Sequence, residues 1–200
     1  MKLNFLRPPR TIGEWCGDLL RVAGLVCVVI GITSWSLADG GILALALPGL
    51  VLPRLLGVKA WFDVVFGITV LISVWSNVLD LYTTVPGWDL VVHFVLTGLT
   101  AVLLYLLFAR YDIVGEPDRS GIATVVLATT MGLALSAMWE VFEWFGWAFI
   151  SETIYVAYQD TIGDMVAGGV GSFVAALLLA SVPLLRADAV PSENRRPTVI

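Results

Sequence analysis

The chain has 200 residues, a formal net charge of −5 at pH 7 and a mean hydropathy of +0.91; 58% of its positions are hydrophobic and only 14% charged. Soluble domains are about half apolar and a quarter charged, so a separate soluble domain is excluded, and spans of about 20 residues leave room for six or so crossings and little else. Cys16 and Cys27 would lie about 16 Å apart along one helix and no Cys-x-x-Cys spacing occurs, which excludes a disulfide framework and a thiolate metal site.

Residues 1–21 read as a cytoplasmic N-terminal segment carrying Lys2, Arg7, Arg10 and Arg21. The first apolar run, 22–38, ends in Ser36, Leu37 and Ala38, which has the small-x-small form of a signal-peptide cleavage site. The long leading region with Glu14 and Asp18 favours an uncleaved span instead. The second run, 41–56, is short and holds Pro48 and Pro53, so a kinked or re-entrant segment competes with a full crossing. Four longer runs follow at 61–79, 90–109, 122–145 and 165–185. The end, 186–200, with Pro191, Ser192, Glu193 and Asn194, reads as a solvated cytoplasmic tail. The expected fold is all-α: a polytopic membrane helix bundle over 22–185 with six transmembrane helices and N- and C-termini cytoplasmic.

Lys and Arg accumulate in cytoplasmic loops, which tests that topology. With the N-terminus inside, Arg54 and Lys59 between spans two and three join the N-terminal four. Arg110 and Arg119 flank the fourth connection, and Arg186, Arg195 and Arg196 follow span six, which places all eleven basic residues on one side. A wrong number of crossings would scatter them. Asp39, Asp80, Asp89, Glu140, Glu143, Glu152, Asp160 and Asp164 then share the outer side with His93. Trp88, Trp139, Trp144, Trp147, Tyr82, Tyr155 and Tyr158 fall at the same level and read as an interfacial aromatic belt. The expected location is the bacterial inner membrane.

Three spans carry ionisable pairs at helical spacing: Asp89 and His93, Glu140 and Glu143, Asp160 and Asp164. Each pair shares one face of its helix. Ser73, Asn77 and Asp80 form a polar stripe on span three, and Asp63 at its inner end reads as a cap. Counting about 20 residues from each cytoplasmic end brings Asp80, Asp89, Glu140 to Glu143 and Asp164 to one depth near the outer interface.

Carboxylates at that depth are costly unless paired, hydrated or bound to a cation, and with no Lys or Arg nearby the compensating charge must be protons, a protonated His93 or metal ions. Three readings follow. Asp89, His93, Glu140 and Asp164 suit a divalent ion such as Mg, Mn, Fe or Zn, in the manner of carboxylate sites inside helix bundles. Alternatively, the acids share protons along a proton or cation pathway. In the third reading they are interfacial groups bonding water and helix ends, with Asp160 or Asp164 capping span six. The Gly168, Gly169 and Gly171 run permits close helix packing and is no phosphate loop.

Trp88-Asp89-x-x-x-His93, Gly98, Glu140-x-x-Glu143 and Asp160-x-x-x-Asp164 with the glycines after it together resemble the bacterial inner-membrane family that includes YjdF, and more distantly the VanZ-like proteins, over roughly residues 79–173. Glu143 stands where VanZ-like proteins usually have Gln, and Gly168 where they have Asn, which brings the chain closer to the YjdF-like group. The resemblance implies that the three pairs belong to one site and implies no particular reaction.

On this basis the expected activity is metal-dependent hydrolysis or transfer of a lipid or polyprenyl-phosphate head group, with Glu143 and Asp160 as the catalytic acids and bases. The elements that precede such an acid pair in CDP-alcohol phosphotransferases are absent, as are the basic residues of lipid phosphatases. The alternative is a non-enzymatic proton- or cation-coupled transporter, or an accessory subunit of a larger membrane complex. Expected partners are the lipid bilayer, a lipid head group, and further copies or a membrane complex; no nucleic acid is expected.

Overall fold

The computed structural model describes residues 1–118, 121–149 and 156–189. Arg119, Glu152, Tyr155, Arg195 and Arg196 of the sequence reading lie outside the described residues, as does most of the tail. Among the described residues the elements are helical: α1 (Lys2–Leu6), α2 (Ile12–Ser34), α3 (Leu37–Ala44), α4 (Ala46–Leu56), α5 (Ala60–Val78), α6 (Leu81–Thr84), α7 (Trp88–Val92), a π-helical segment (His93–Thr97), α8 (Gly98–Arg110), α9 (Ile122–Phe149) and α10 (Tyr158–Ser181).

Six stretches are long and apolar enough to cross a membrane: Ile12–Ser34, Leu37–Leu56, Ala60–Val78, Trp88–Arg110, Ile122–Phe149 and Tyr158–Ser181. The all-α bundle of six spans expected from the sequence is therefore present. Its boundaries differ where charged residues sit inside helices. The first helix starts at Ile12, because Thr11 accepts a hydrogen bond from Glu14 N at 3.3 Å while the Glu14 carboxylate accepts one from Arg10 N at 2.6 Å. That reciprocal capping opens a helix well ahead of the apolar run. The last helix opens at Tyr158, so Asp160 and Asp164 lie in its first two turns rather than before it.

Leu37–Leu56 is interrupted at Leu45, between α3 and α4. Pro48 explains the break: it has no N–H for the Ala44 carbonyl, and its ring would crowd that oxygen in a continuous helix. With about 1.5 Å of rise per residue, the two pieces together still reach about 30 Å, enough for a full crossing. Gly57 ends α4 at φ +78°, its N–H bonded to Pro53 O at 3.0 Å, and α1 covers that end. Asn4 Nδ2 donates to the carbonyls of Leu55 and Leu56 at 3.3 and 3.4 Å, satisfying orphans of the last turn.

The basic residues gather at one end of the bundle, where carboxylates meet them. Arg7 pairs with Glu14, Arg21 with Asp63 at 2.6 Å and Asp18 at 3.1 Å, Arg54 with Asp18 at 3.4 Å, and Arg186 with Asp188 at 3.1 Å. Asp63 thus holds Arg21 of the neighbouring helix and makes no side-chain cap. Past α10 the chain turns back: Lys59 N donates to Leu184 O at 2.7 Å and Arg186 N to Gly57 O at 2.9 Å. Asp188 pays a small burial cost, but the Arg186 hydrogen bond and the charges of Arg7 and Arg10 hold its carboxyl below the usual range.

The apolar core runs from Phe62 and Phe66 on α5 through Leu50 on α4 to Val102, Leu103 and Leu106 on α8. Nearer the other end, α8 and the π segment meet α10 backbone to backbone. A Cβ built on Gly171 would stand 1.8 Å from Phe94 O, and one on Gly98 2.6 Å from Gly171 O. A side chain there must push two helices apart. Gly171→Ala is expected to cost about 2–3 kcal/mol or more, read as thermal unfolding in detergent. Gly41→Ala, whose Cβ meets nothing within 4 Å, is the control and stays within about 1 kcal/mol of wild type. Equal stability of the two variants would refute the close contact.

Candidate functional site

Small residues decide how closely the helices of the acidic end approach. On α9, Gly132, Ser136 and Glu140 recur every fourth residue and are all buried. Asp164, Gly168 and Ser172 do the same on α10. The stripes interlock: a Cβ on Gly132 would lie 1.9 Å from Ser172 Oγ, one on Gly168 would lie 2.6 Å from Ser136 Oγ, and Ser136 donates to the Asp164 carbonyl at 3.2 Å. Glu140 and Asp164 are carried to the same level, one turn beyond this contact.

The fourth span brings its residues through the π segment that begins at His93. A π turn widens the helix by one residue, and such turns recur at functional sites. Here the widened turn sets the Phe94 carbonyl over Gly171, and His93 faces α10. Asp89, one turn earlier, places Oδ1 3.3 Å from His93 Nε2.

Asp89, His93 and Asp164 each offer a ligand atom within 4.8 Å of the others. Atoms on opposite sides of a divalent ion, each bonded at about 2.1 Å, are separated by little less than that. Exposure grades inward: 28% for the Asp89 side chain, 8% for His93, 7% for Glu140 and 1% for Asp164. Both Asp164 oxygens and Oε1 of Glu140 are buried without a hydrogen-bond partner. Buried carboxylate oxygens are almost always bonded, a demand that a cation, a proton or a water would meet. The oxygen-rich donor set with one imidazole fits Mg, Mn, Fe or Zn.

Glu140, Glu143 and Asp160, also expected at the site, interact electrostatically with members of the trio. The charge of Glu140 acts on His93, Asp89 and Asp160, that of Glu143 on Glu140, His93 and Asp89, and that of Asp160 on Asp89 and His93. Glu143 and Asp160 are half-buried. Asp160 stands in the first turn of α10, whose N-cap residue Ala157 makes no side-chain cap. The stripe on span three divides, for Asn77 and Asp80 are exposed whereas Ser73 and Ser76 face inward.

Two aromatics grouped with the interfacial belt belong to the site's wall. Trp88 Nε1 donates to Ser76 Oγ at 2.8 Å, and Tyr82 OH donates to Ser73 O at 2.8 Å. Burial first, then the charges of Asp89 and Glu143, push the Tyr82 phenol well above its usual range, so it stays a neutral donor. Of these supporting groups, Ser73 stood in the polar stripe read on span three and Trp88 in the motif with Asp89 and His93, whereas Ser76 carried no sequence signal. Trp139, Trp144, Trp147 and Tyr158 are exposed, as the belt requires.

A helical bundle of six apolar spans with a buried carboxylate and imidazole cluster at one end defines a multi-pass membrane protein. The chain belongs to the family described as predicted membrane protein (DUF2238), whose profile matches residues 18–183. Comparison with curated proteins and with solved structures found no match.

The uncompensated Asp164 makes a measurable demand on the apoprotein. In chelator, Asp164→Asn is expected to raise stability by about 1–3 kcal/mol, roughly 2–10 °C in Tm for a chain of this size. With a divalent metal added, wild type rises and the variant does not. A variant less stable than wild type in chelator would show that Asp164 is held by protein groups alone.

Proposed function

We propose that the chain is a metal-dependent enzyme of the bacterial inner membrane, with the basic end cytoplasmic, that hydrolyses or transfers a lipid or polyprenyl-phosphate head group in the outer leaflet. The observation that carries this reading is Asp164, 1% exposed with both oxygens unpartnered, facing His93 and Asp89. Asp89, His93, Glu140 and Asp164 are the ligands. The motif pattern favours kinship with the YjdF-like group over VanZ-like proteins.

Bound there, a divalent ion would polarise a phosphoryl oxygen and acidify water. It also admits the substrate, because residues 60–109 and 120–185 contain no Lys or Arg, and an anionic head group would otherwise meet only carboxylates. In hydrolysis the water oxygen bonds to phosphorus as the bond to the leaving oxygen breaks. Glu143 takes the water proton and Asp160 returns a proton to the leaving oxygen. Both acids stand beside the trio without belonging to it, and Tyr82, neutral and close to Glu143, closes one side.

Purified protein in lipid–detergent micelles is expected to release head group from phospholipid or polyprenyl-phosphate substrates, to stop in chelator and to recover with Mn²⁺ or Zn²⁺. Glu143→Gln keeps the metal and slows turnover by about 10²–10⁴. Metal content that is negligible, and equal in wild type and His93→Ala, would sink the proposal. Metal binding without turnover, accompanied by cation flux in proteoliposomes, would transfer the site to a transporter.

Orientation has its own test. A fluorescent-protein fusion at the C-terminus is expected to fluoresce, and an alkaline-phosphatase fusion there to be inactive. The reverse pattern would move the site to the cytoplasmic face.

A further inference from the structure

We propose that the basic end of the bundle binds the phosphodiester of an anionic phospholipid among Arg7, Arg10 and Arg186, at the place the Asp188 carboxylate fills. The proposal concerns the end opposite the acidic cluster and needs no metal. Three guanidinium groups share two carboxylates there. Asp188 lies 3.1 Å from Arg186, 3.5 Å from Arg7 and 3.8 Å from Arg10. Glu14 binds Arg7 and the Arg10 backbone N–H and lies 4.0 Å from Arg186. One positive charge is left over within this cluster, because Asp18 and Asp63 are taken by Arg21 and Arg54. The Arg7 and Arg186 side chains are only 13% and 10% exposed, and Nε of Arg7 and Nη2 of Arg186 are buried with no hydrogen-bond partner. Guanidinium donors are shaped for the paired oxygens of a phosphate.

Asp188 is the replaceable member. Glu14 is built into the first turn of α2 at 7% exposure, whereas Asp188 is 46% exposed on the segment after α10, and exposed ion pairs hold weakly. A carboxylate and a phosphodiester each spread one negative charge over two free oxygens. Exchange therefore keeps the guanidinium groups paired while the Asp188 side chain turns into water.

The surroundings point to a lipid rather than a free phosphate. Arg10 is 68% exposed, and apolar side chains close to it in the chain are exposed as well: Leu3 and Leu6 on α1, Ile12 and Trp15 at the start of α2. α1 is held with Asn4 inward, its Nδ2 donating to the carbonyls of Leu55 and Leu56. Guanidinium groups at the ends of membrane spans, rimmed by exposed apolar side chains, meet a head group and its acyl chains together. Basic pockets between helix ends favour anionic lipid.

The full chain, purified and delipidated in detergent, is titrated separately with phosphatidylglycerol, phosphatidylcholine and inorganic phosphate, with bound lipid counted by native mass spectrometry and Tm followed in parallel. Phosphatidylglycerol is expected to bind roughly tenfold tighter than phosphatidylcholine and to raise Tm, whereas inorganic phosphate at the same concentration leaves Tm unchanged. Arg10→Gln, at an exposed position that folding does not depend on, weakens phosphatidylglycerol binding roughly fivefold. Asp188→Asn removes the competing carboxylate and tightens it severalfold, a gain that a purely structural Asp188 would not give. Equal affinity for the two lipids, or phosphatidylglycerol binding that Asp188→Asn leaves unchanged or weakens, would overturn the proposal. Stabilisation by inorganic phosphate without any by phosphatidylglycerol would overturn the lipid as occupant.

Discussion

A bilayer tolerates a charged side chain only where an opposite charge, a bound ion or water meets it. The two ends of this bundle meet that condition differently. At the basic end, Arg7, Arg21, Arg54 and Arg186 are matched by Glu14, Asp18, Asp63 and Asp188, drawn from different parts of the chain. Those pairs tie α2 to α5 and the segment after α10 to the N-terminus. They fix where the helices start, and hence how deep every other residue lies. At the acidic end the protein supplies carboxylates and one imidazole but no cation of its own.

Close packing converts that dependence into a site. Carboxylates on separate helices would ordinarily turn toward water and away from one another. Interlocked Gly132, Ser136, Gly168 and Ser172 bring α9 and α10 together, and Gly98 and Gly171 bring in the fourth span, so Asp164 has no route to solvent. The cost is borne at both oxygens of Asp164 and at Oε1 of Glu140, which are buried and find no hydrogen-bond partner. A fold stabilised for its own sake would place an amide or an apolar residue there. Keeping carboxylates inside a tight, small-residue contact costs the fold stability.

Much of this was legible in the sequence. Hydropathy located six spans, and counting residues from their basic ends brought the acid pairs to one depth. What escaped is decided by packing rather than by residue type. The spacing of Glu140 and Glu143 puts both on one helical face, yet only Glu140 follows Gly132 and Ser136 into the contact with α10. The π turn at His93 has no signature of its own; it accompanies the close approach of Gly171, some eighty positions along the chain. Capping by Thr11 and Glu14 was written in the sequence but lay ahead of the apolar run, where hydropathy does not look. Asp63 had the position of a cap, and only the neighbouring helix revealed it as the partner of Arg21.

The gradient of burial across the cluster gives its members different work. Asp164 and Glu140 lie deepest and are held by helix backbones that cannot move without opening the glycine contacts, which suits ligands that must keep a fixed separation. Asp89 and Glu143 are only partly covered, and Tyr82 stands beside both with its hydroxyl committed to Ser73 O. Groups at the mouth can exchange protons with water, whereas groups at the floor cannot. Burial alone divides the cluster into a floor, Asp164 and Glu140, and a partly covered mouth, Asp89 and Glu143.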